Sequence, residues 1–319
     1  MLGRRSEFDV TNTINVTDVD EVCREVCRLY VALYPDAPTD ALQQAFTDMG
    51  KLFRGEYPGY LACEAPYHDL QHTLDVTLAM ARLLYGYEHS QRNGGQIGQL
   101  GVLLGLICAL FHDSGYIRRS SGERHKHGAE LTTKHVSRGG VFLEEYLPTL
   151  GLGHAAHICT KLLHFTGYEM PVREISLDDP RLRLIGKMIG TADLLAQMAD
   201  RCYLEKCRDR LYPEFVASGM ASPDRPGGGY ASGEELLRKT PGFFRHVMDE
   251  RLDGDFDGVY RYMEHFFSGG RNLYMEAIHN NQQFLGTVMA QEDMSLLRRS
   301  PAWTLNPDIP PLDIDKYNK

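Results

Sequence analysis

The segment Tyr67-His68-Asp69-Leu70-Gln71-His72 places two imidazoles at i and i+4, and Phe111-His112-Asp113 adds an imidazole and an adjacent carboxylate at the end of an apolar run. Asp193 follows as a single carboxylate inside another apolar stretch, Gly190-Thr191-Ala192-Asp193-Leu194. Side chains at i and i+4 share one face of a helix. Imidazole plus carboxylate is a donor set that holds hard or borderline divalent cations and leaves coordination positions to water. His72, His112, Asp113 and Asp193 therefore read as a candidate hydrolytic metal site, with Asp113 as the carboxylate best placed to bridge two ions. A carboxylate flanked by Ile189, Ala192, Leu194 and Leu195 is costly to bury unpaired. A metal would satisfy Asp193, and so would a basic neighbour such as Arg201.

The ordered pattern H…HD…D resembles that of the HD-domain metal-dependent phosphohydrolases, over roughly residues 60 to 200. The stretch YHDLQHTLDV is similar to the first metal motif of the class I cyclic nucleotide phosphodiesterases, Y-H-N-x-x-H-x-x-D-V. The resemblance implies an all-α, single multi-helix domain carrying one or two divalent metal ions, with Mn, Fe, Mg, Ni and Zn all compatible. It implies hydrolysis of a phosphoester, foremost a 3′,5′-cyclic nucleotide, through metal-bound hydroxide. His72, His112, Asp113 and Asp193 match the ligand positions, and His68 matches the position that protonates the leaving 3′-oxygen. Gln283 and Phe284 stand where such enzymes grip a purine, one by hydrogen bonds and one by stacking. His127, which opens HGAEL, and His164 are candidates for further metal ligands, with His125, His135, His154 and His157 as competitors. An HD-type nucleotidase acting on monoesters or triphosphates is the alternative, and a non-catalytic nucleotide sensor is a third reading.

The chain also departs from these patterns. Phosphodiesterases continue H-D-x-x-H, whereas Tyr116 occupies the last position here. Asp69 replaces the usual Asn and can support a ligand histidine through its second ring nitrogen; Asp75 reads as a similar outer partner. KLLHFTGYEM and IGTADLLAQM look like the last two motifs of the HD-GYP branch, but Gly167-Tyr168 is followed by Glu169 rather than proline. Arg118, Arg119 and Lys161 are candidate phosphate contacts.

The 319 residues, 43% hydrophobic, suffice for a sizeable core. A net charge of −9 argues against a nucleic-acid surface. The seven cysteines are scattered without a C-x-x-C pair, the N-terminus is polar, and the longest apolar run, 100–111, suits a core helix rather than a membrane span. The expectation is a cytoplasmic protein acting on a small-molecule phosphoester or nucleotide, without nucleic-acid or membrane partners and compatible with a homodimer.

Apolar periodicity predicts helices over 22–33, 40–53 (capped by Thr39), 67–87, 96–112, 154–164, 182–198, 203–216, 234–252 and 260–297, with short ones over 129–135 and 141–147 separated at Gly139-Gly140. Asn93-Gly94-Gly95 and Ser222–Gly233 read as loops. Residues 1–59 are expected to form a helical segment packed on a catalytic domain over 60–300, followed by an extended proline-rich tail, 301–319.

Overall fold

The structure, a computed structural model, describes residues 3–91, 96–224 and 228–317. It is all-α: 63% of the chain is helical, and the described residues hold no strand, only isolated bridges pairing Phe8 with Asn15 and Tyr60 with Arg119. The Asn93-Gly94-Gly95 loop lies outside the described residues, as does the Arg225-Pro226-Gly227 part of the second one.

The site is carried by three helices: α3 (Leu70–Ser90), α4 (Gln99–Phe111) and α7 (Pro180–Ala199). Each packs against the other two. Helix α3 is buried almost all the way round, from Leu70 to Glu88, and α4 is nearly continuous apolar sequence. A helix without a polar face belongs in the centre. Glycines permit the close crossings. A Cβ on Gly105 of α4 would lie 2.9 Å from Met80 Cε on α3, and one on Gly190 of α7 would lie 2.4 Å from the Phe165 carbonyl oxygen.

Around this trio run α1 (Val19–Leu33), α2 (Asp40–Arg54), α5 (His135–Tyr146), α6 (Ala156–Leu163), α8 (Tyr203–Lys206), α9 (Tyr212–Ala217), α10 (Gly233–His246) and α11 (Leu273–Gln291). Helices α1 and α2 share one continuous core with the rest. Asp18 caps α1 by accepting from the backbone N–H groups of Asp20 and Glu21. Thr39, expected to cap α2, makes no such bond because its backbone is already helical.

Other boundaries also differ. Helix α5 runs straight through Gly139-Gly140. Those glycines let α6 approach, since a Cβ on Gly140 would meet Thr160 Cγ2 at 2.7 Å. The predicted 260–297 helix is broken before α11, where Gly269 adopts φ 74°, a left-handed conformation natural to glycine. The tail is irregular apart from one 3₁₀ turn at Ile314–Lys316, and it is tied to the body. Arg210 donates to the carbonyls of Pro301 and Ala302, and the Tyr317 hydroxyl donates to Glu130. Among the described residues no helix is long and apolar enough to cross a membrane.

Candidate metal centre

Helix α3 starts one residue after Asp69, whose side chain caps it by accepting from the backbone N–H of His72. The other Asp69 oxygen meets Arg210 Nη1 at 3.2 Å. Asp69 therefore fixes the first turn of α3 rather than the ring of a ligand histidine. His68 falls just before the cap, so it does not share a helical face with His72 as the i, i+4 spacing predicts. Helix α4 ends at Phe111, with His112 as its C-cap. The chain then turns so that both His112 and Asp113 face α3.

Four side chains from three segments converge there. Ligand atoms of His72, His112 and Asp113 all lie within 4.8 Å of one another. His72 Nε2 is 3.4 Å from Asp113 Oδ2 and 3.3 Å from Asp193 Oδ1. His112 Nε2 is 3.1 Å from Asp113 Oδ2 and 3.8 Å from Asp193 Oδ1. Asp193 thus faces the two histidines rather than Arg201, which lies in a different hollow with Arg4 and Arg299.

The local bonding indicates what the cluster can hold. His112 Nδ1 lies 2.8 Å from the Ala109 carbonyl, so it carries the proton and Nε2 presents a lone pair to the cluster. His112 Nε2 and Asp113 Oδ2 are buried and make no aligned hydrogen bond among the described residues, despite their proximity. Two lone pairs that approach without a donor between them fit a cation. Donor atoms about 2.0–2.2 Å from a common ion lie about 3.0–3.4 Å apart in right-angled or tetrahedral arrangements. Most of the separations here fall in or close to that range. His72, His112 and Asp113 therefore fit a divalent ion, with Asp193 3.3 and 3.8 Å from the two histidines beside them. Without one, burial disfavours the charged imidazoles of His72 and His112, but the neighbouring Asp113 and Asp193 carboxylates outweigh it and raise both above their usual value, His72 to about 10. Asp113 is held far below the ordinary carboxylate range against its own burial, chiefly by His112 and His68.

Beside this cluster stands a stack of rings. Tyr116 lies between His68 (centroids 4.3 Å apart, planes at 14°) and His135 (4.5 Å, 24°). His68 Nδ1 is 2.5 Å from Glu214 Oε2, while the other Glu214 oxygen accepts the backbone N–H groups of Tyr67 and His68. Burial disfavours a charged His68, but Glu214 and Asp113 overcome it and hold the pKa above 6.5. His135 Nδ1 is 2.7 Å from the Thr132 carbonyl, leaving Nε2 3.6 Å from Asp113 Oδ1. Burial lowers its pKa, so it stays a neutral imidazole.

The remaining sequence candidates lie elsewhere. His127 Nδ1 accepts from the backbone N–H of Ala129, capping a 3₁₀ turn, and neither His127 nor His164 belongs to the cluster. Gln283 is exposed and pairs with His279, and Phe284 packs under the Arg299 guanidinium at 4.5 Å. Arg118 is engaged by Glu64 and Arg119 by Glu145. Asp75 lines a cavity of about 10 Å³ behind His72, with Tyr67, Gln71, Asp200 and Lys206, roughly room for one water. Reasoning from sequence missed Glu214, which sits in an ordinary amphipathic pattern with no spacing signal. It identified His135 only as one of several competing histidines.

A model of the Npun_R2479-like family matches residues 122–258, less than half of the chain. That segment contains His135, His164, Asp193 and Glu214 and begins after His68, His72, His112 and Asp113. No curated protein and no solved structure gives a significant match.

Proposed function

We propose that this protein is a metal-dependent phosphohydrolase of the HD type, acting as a phosphodiesterase on 3′,5′-cyclic nucleotides. The observation that supports it most is the convergence of His72, His112, Asp113 and Asp193, with His112 Nε2 and Asp113 Oδ2 left without hydrogen bonds at the centre. A divalent ion at this point supplies Lewis acidity toward a phosphoryl oxygen and lowers the pKa of water. The protein's own residues supply the rest. The backbone carbonyl of Ala109 holds the His112 ring in register. Glu214 orients His68 through Nδ1 and favours its protonated form, so that Nε2 can deliver a proton to a departing alkoxide. Tyr116 holds the His68 ring plane by stacking. An acid poised for a leaving oxygen suits a phosphodiester. An HD-type nucleotidase using the same cluster is the second reading, since a nucleotide monoester also leaves as an alkoxide.

Asp113→Ala is expected to lose bound metal, read by elemental analysis of protein purified without chelator, and to lose turnover on a panel of cAMP, cGMP, dNTPs and nucleoside monophosphates with Mn²⁺ or Mg²⁺. Full metal content and turnover in that variant would refute the assignment. Cleavage of monophosphates but not cyclic nucleotides would select the nucleotidase.

A further inference from the structure

A second hollow, of about 350 Å³, lies at the C-terminal end of α7 and along one side of α11, separate from the histidine–aspartate cluster. Four arginines line it: Arg4, Arg201, Arg271 and Arg299. Only Arg271 is neutralised there, by Glu276. Among the described residues, Arg4, Arg201 and Arg299 have no carboxylate within ion-pair distance of their guanidinium groups. Glu205 accepts the backbone N–H of Arg299 at 3.2 Å, and its charge favours the guanidinium without forming an ion pair with it.

Part of this arrangement is ordinary helix capping. Arg4 donates to the carbonyl of Ala199, the last residue of α7, and Arg299 donates to the carbonyl of Arg201. Lys and Arg commonly close helix ends this way. Capping uses only a small part of five donors per guanidinium, and it does not explain Arg201, whose guanidinium makes no hydrogen bond among the described residues. Burial pushes the Arg299 guanidinium below its ordinary value; the Glu205 carboxylate opposes this, and the charges of Arg201 and Arg4 act with the burial. Within the hollow Glu276 is engaged by Arg271, so the other three guanidiniums line it without a carboxylate paired to them, and like charges placed together disfavour one another. Beyond them, Val10, Leu273 and Ala277 form an apolar wall, and Asn280 offers an amide.

We infer that this hollow is a second ligand site, for a small organic polyphosphate: the Arg201 guanidinium and the remaining donors of Arg4 and Arg299 clasp a di- or triphosphate group, and the apolar wall takes the uncharged part. Guanidinium forks match phosphate oxygens bidentately, and the volume is that of a small-molecule site. The inference does not depend on the reaction proposed for the cluster. Nothing in it uses His72, His112, Asp113 or Asp193.

The test is calorimetric titration of the full chain with inorganic pyrophosphate and with ADP, in EDTA so that cluster-bound metal does not contribute. Both should bind the wild type. Arg201→Gln, which removes no hydrogen bond of the fold, should weaken both by about tenfold or more. Arg299→Gln should do the same if its thermal unfolding is unchanged, and His112→Ala should bind like the wild type. The site is refuted if pyrophosphate does not bind the wild type, if Arg201→Gln binds it equally well, or if His112→Ala abolishes binding. Citrate binding more tightly than pyrophosphate would overturn the ligand class.

Discussion

At the scale of single residues, the cluster depends on which nitrogen carries each proton. Ala109 takes the Nδ1 proton of His112 and Thr132 that of His135, so both rings turn lone pairs toward Asp113. His68 is arranged the other way. Its Nδ1 meets the carboxylate of Glu214, and its Nε2 makes a long hydrogen bond of 3.5 Å with the Tyr116 hydroxyl beside the site. Holding a metal and delivering a proton are therefore separable. His68→Asn should retain wild-type metal content while kcat falls by about 10²–10⁴-fold. Loss of metal together with activity would make His68 a ligand instead. Glu214→Gln should flatten the pH dependence of kcat without changing metal content, which distinguishes orientation of His68 from a purely structural role. Tyr116 fills the space beside the cluster by stacking rather than by offering a metal-binding group. Where phosphodiesterases carry a histidine, this chain stacks a phenol between two imidazoles, and His135 brings an imidazole in from α5.

At the scale of elements, α3 and α4 are buried almost all the way round, α7 packs on both, and the candidate ligands ride on these three helices. Precision then comes from contacts between backbones. A Cβ on Gly115 would lie 1.7 Å from the His135 carbonyl oxygen and 2.8 Å from the Gly139 backbone nitrogen, so only glycine lets the turn after Asp113 nest against α5. Gly115→Ala should destabilise the fold by about 1–3 kcal/mol, read as a lowered urea midpoint. It should also weaken metal binding, because the displaced elements are those holding Asp113 and His135. An unchanged midpoint would mean that α5 is free to move, and the stacked rings with it. Gly139 and Gly140 belong to the same packing. Read as local sequence they break a helix, yet here they allow α6 to lie close.

At the scale of the whole molecule, the N-terminal segment is locked onto the central helix by a buried ion pair. Arg82 of α3 donates to Asp9 at 2.6 Å and to the Tyr274 hydroxyl at 3.0 Å, joining the N-terminus, α3 and α11. Burial alone would raise the Asp9 carboxyl, but the Arg82 charge, the Thr11 hydroxyl and the Ile14 N–H outweigh it and hold it below 3.8. A carboxyl depressed on folding stabilises the fold above its unfolded value and loses that contribution as pH falls through the folded one. Asp9→Asn should therefore cost about 3–5 kcal/mol near neutrality, since it leaves Arg82 buried and unpaired. The difference from wild type should shrink below about pH 4. Equal unfolding midpoints at neutral pH would show that the pair contributes nothing net.

Much of this protein is written in local sequence. Helical class follows from apolar periodicity, burial of α4 from the absence of a polar face, and the four ligand candidates from residue type and order. These are properties of one segment at a time, so a linear reading can reach them. The tertiary structure alone brought Glu214 to His68, Arg82 to Asp9 and three unneutralised arginines into one hollow, because each joins residues far apart in the chain with no shared period. It also turned His127, Gln283 and Phe284 to other partners and left His164 outside the cluster. A side chain's type states what it can bind, and only the packing of the helices that carry it decides what it meets.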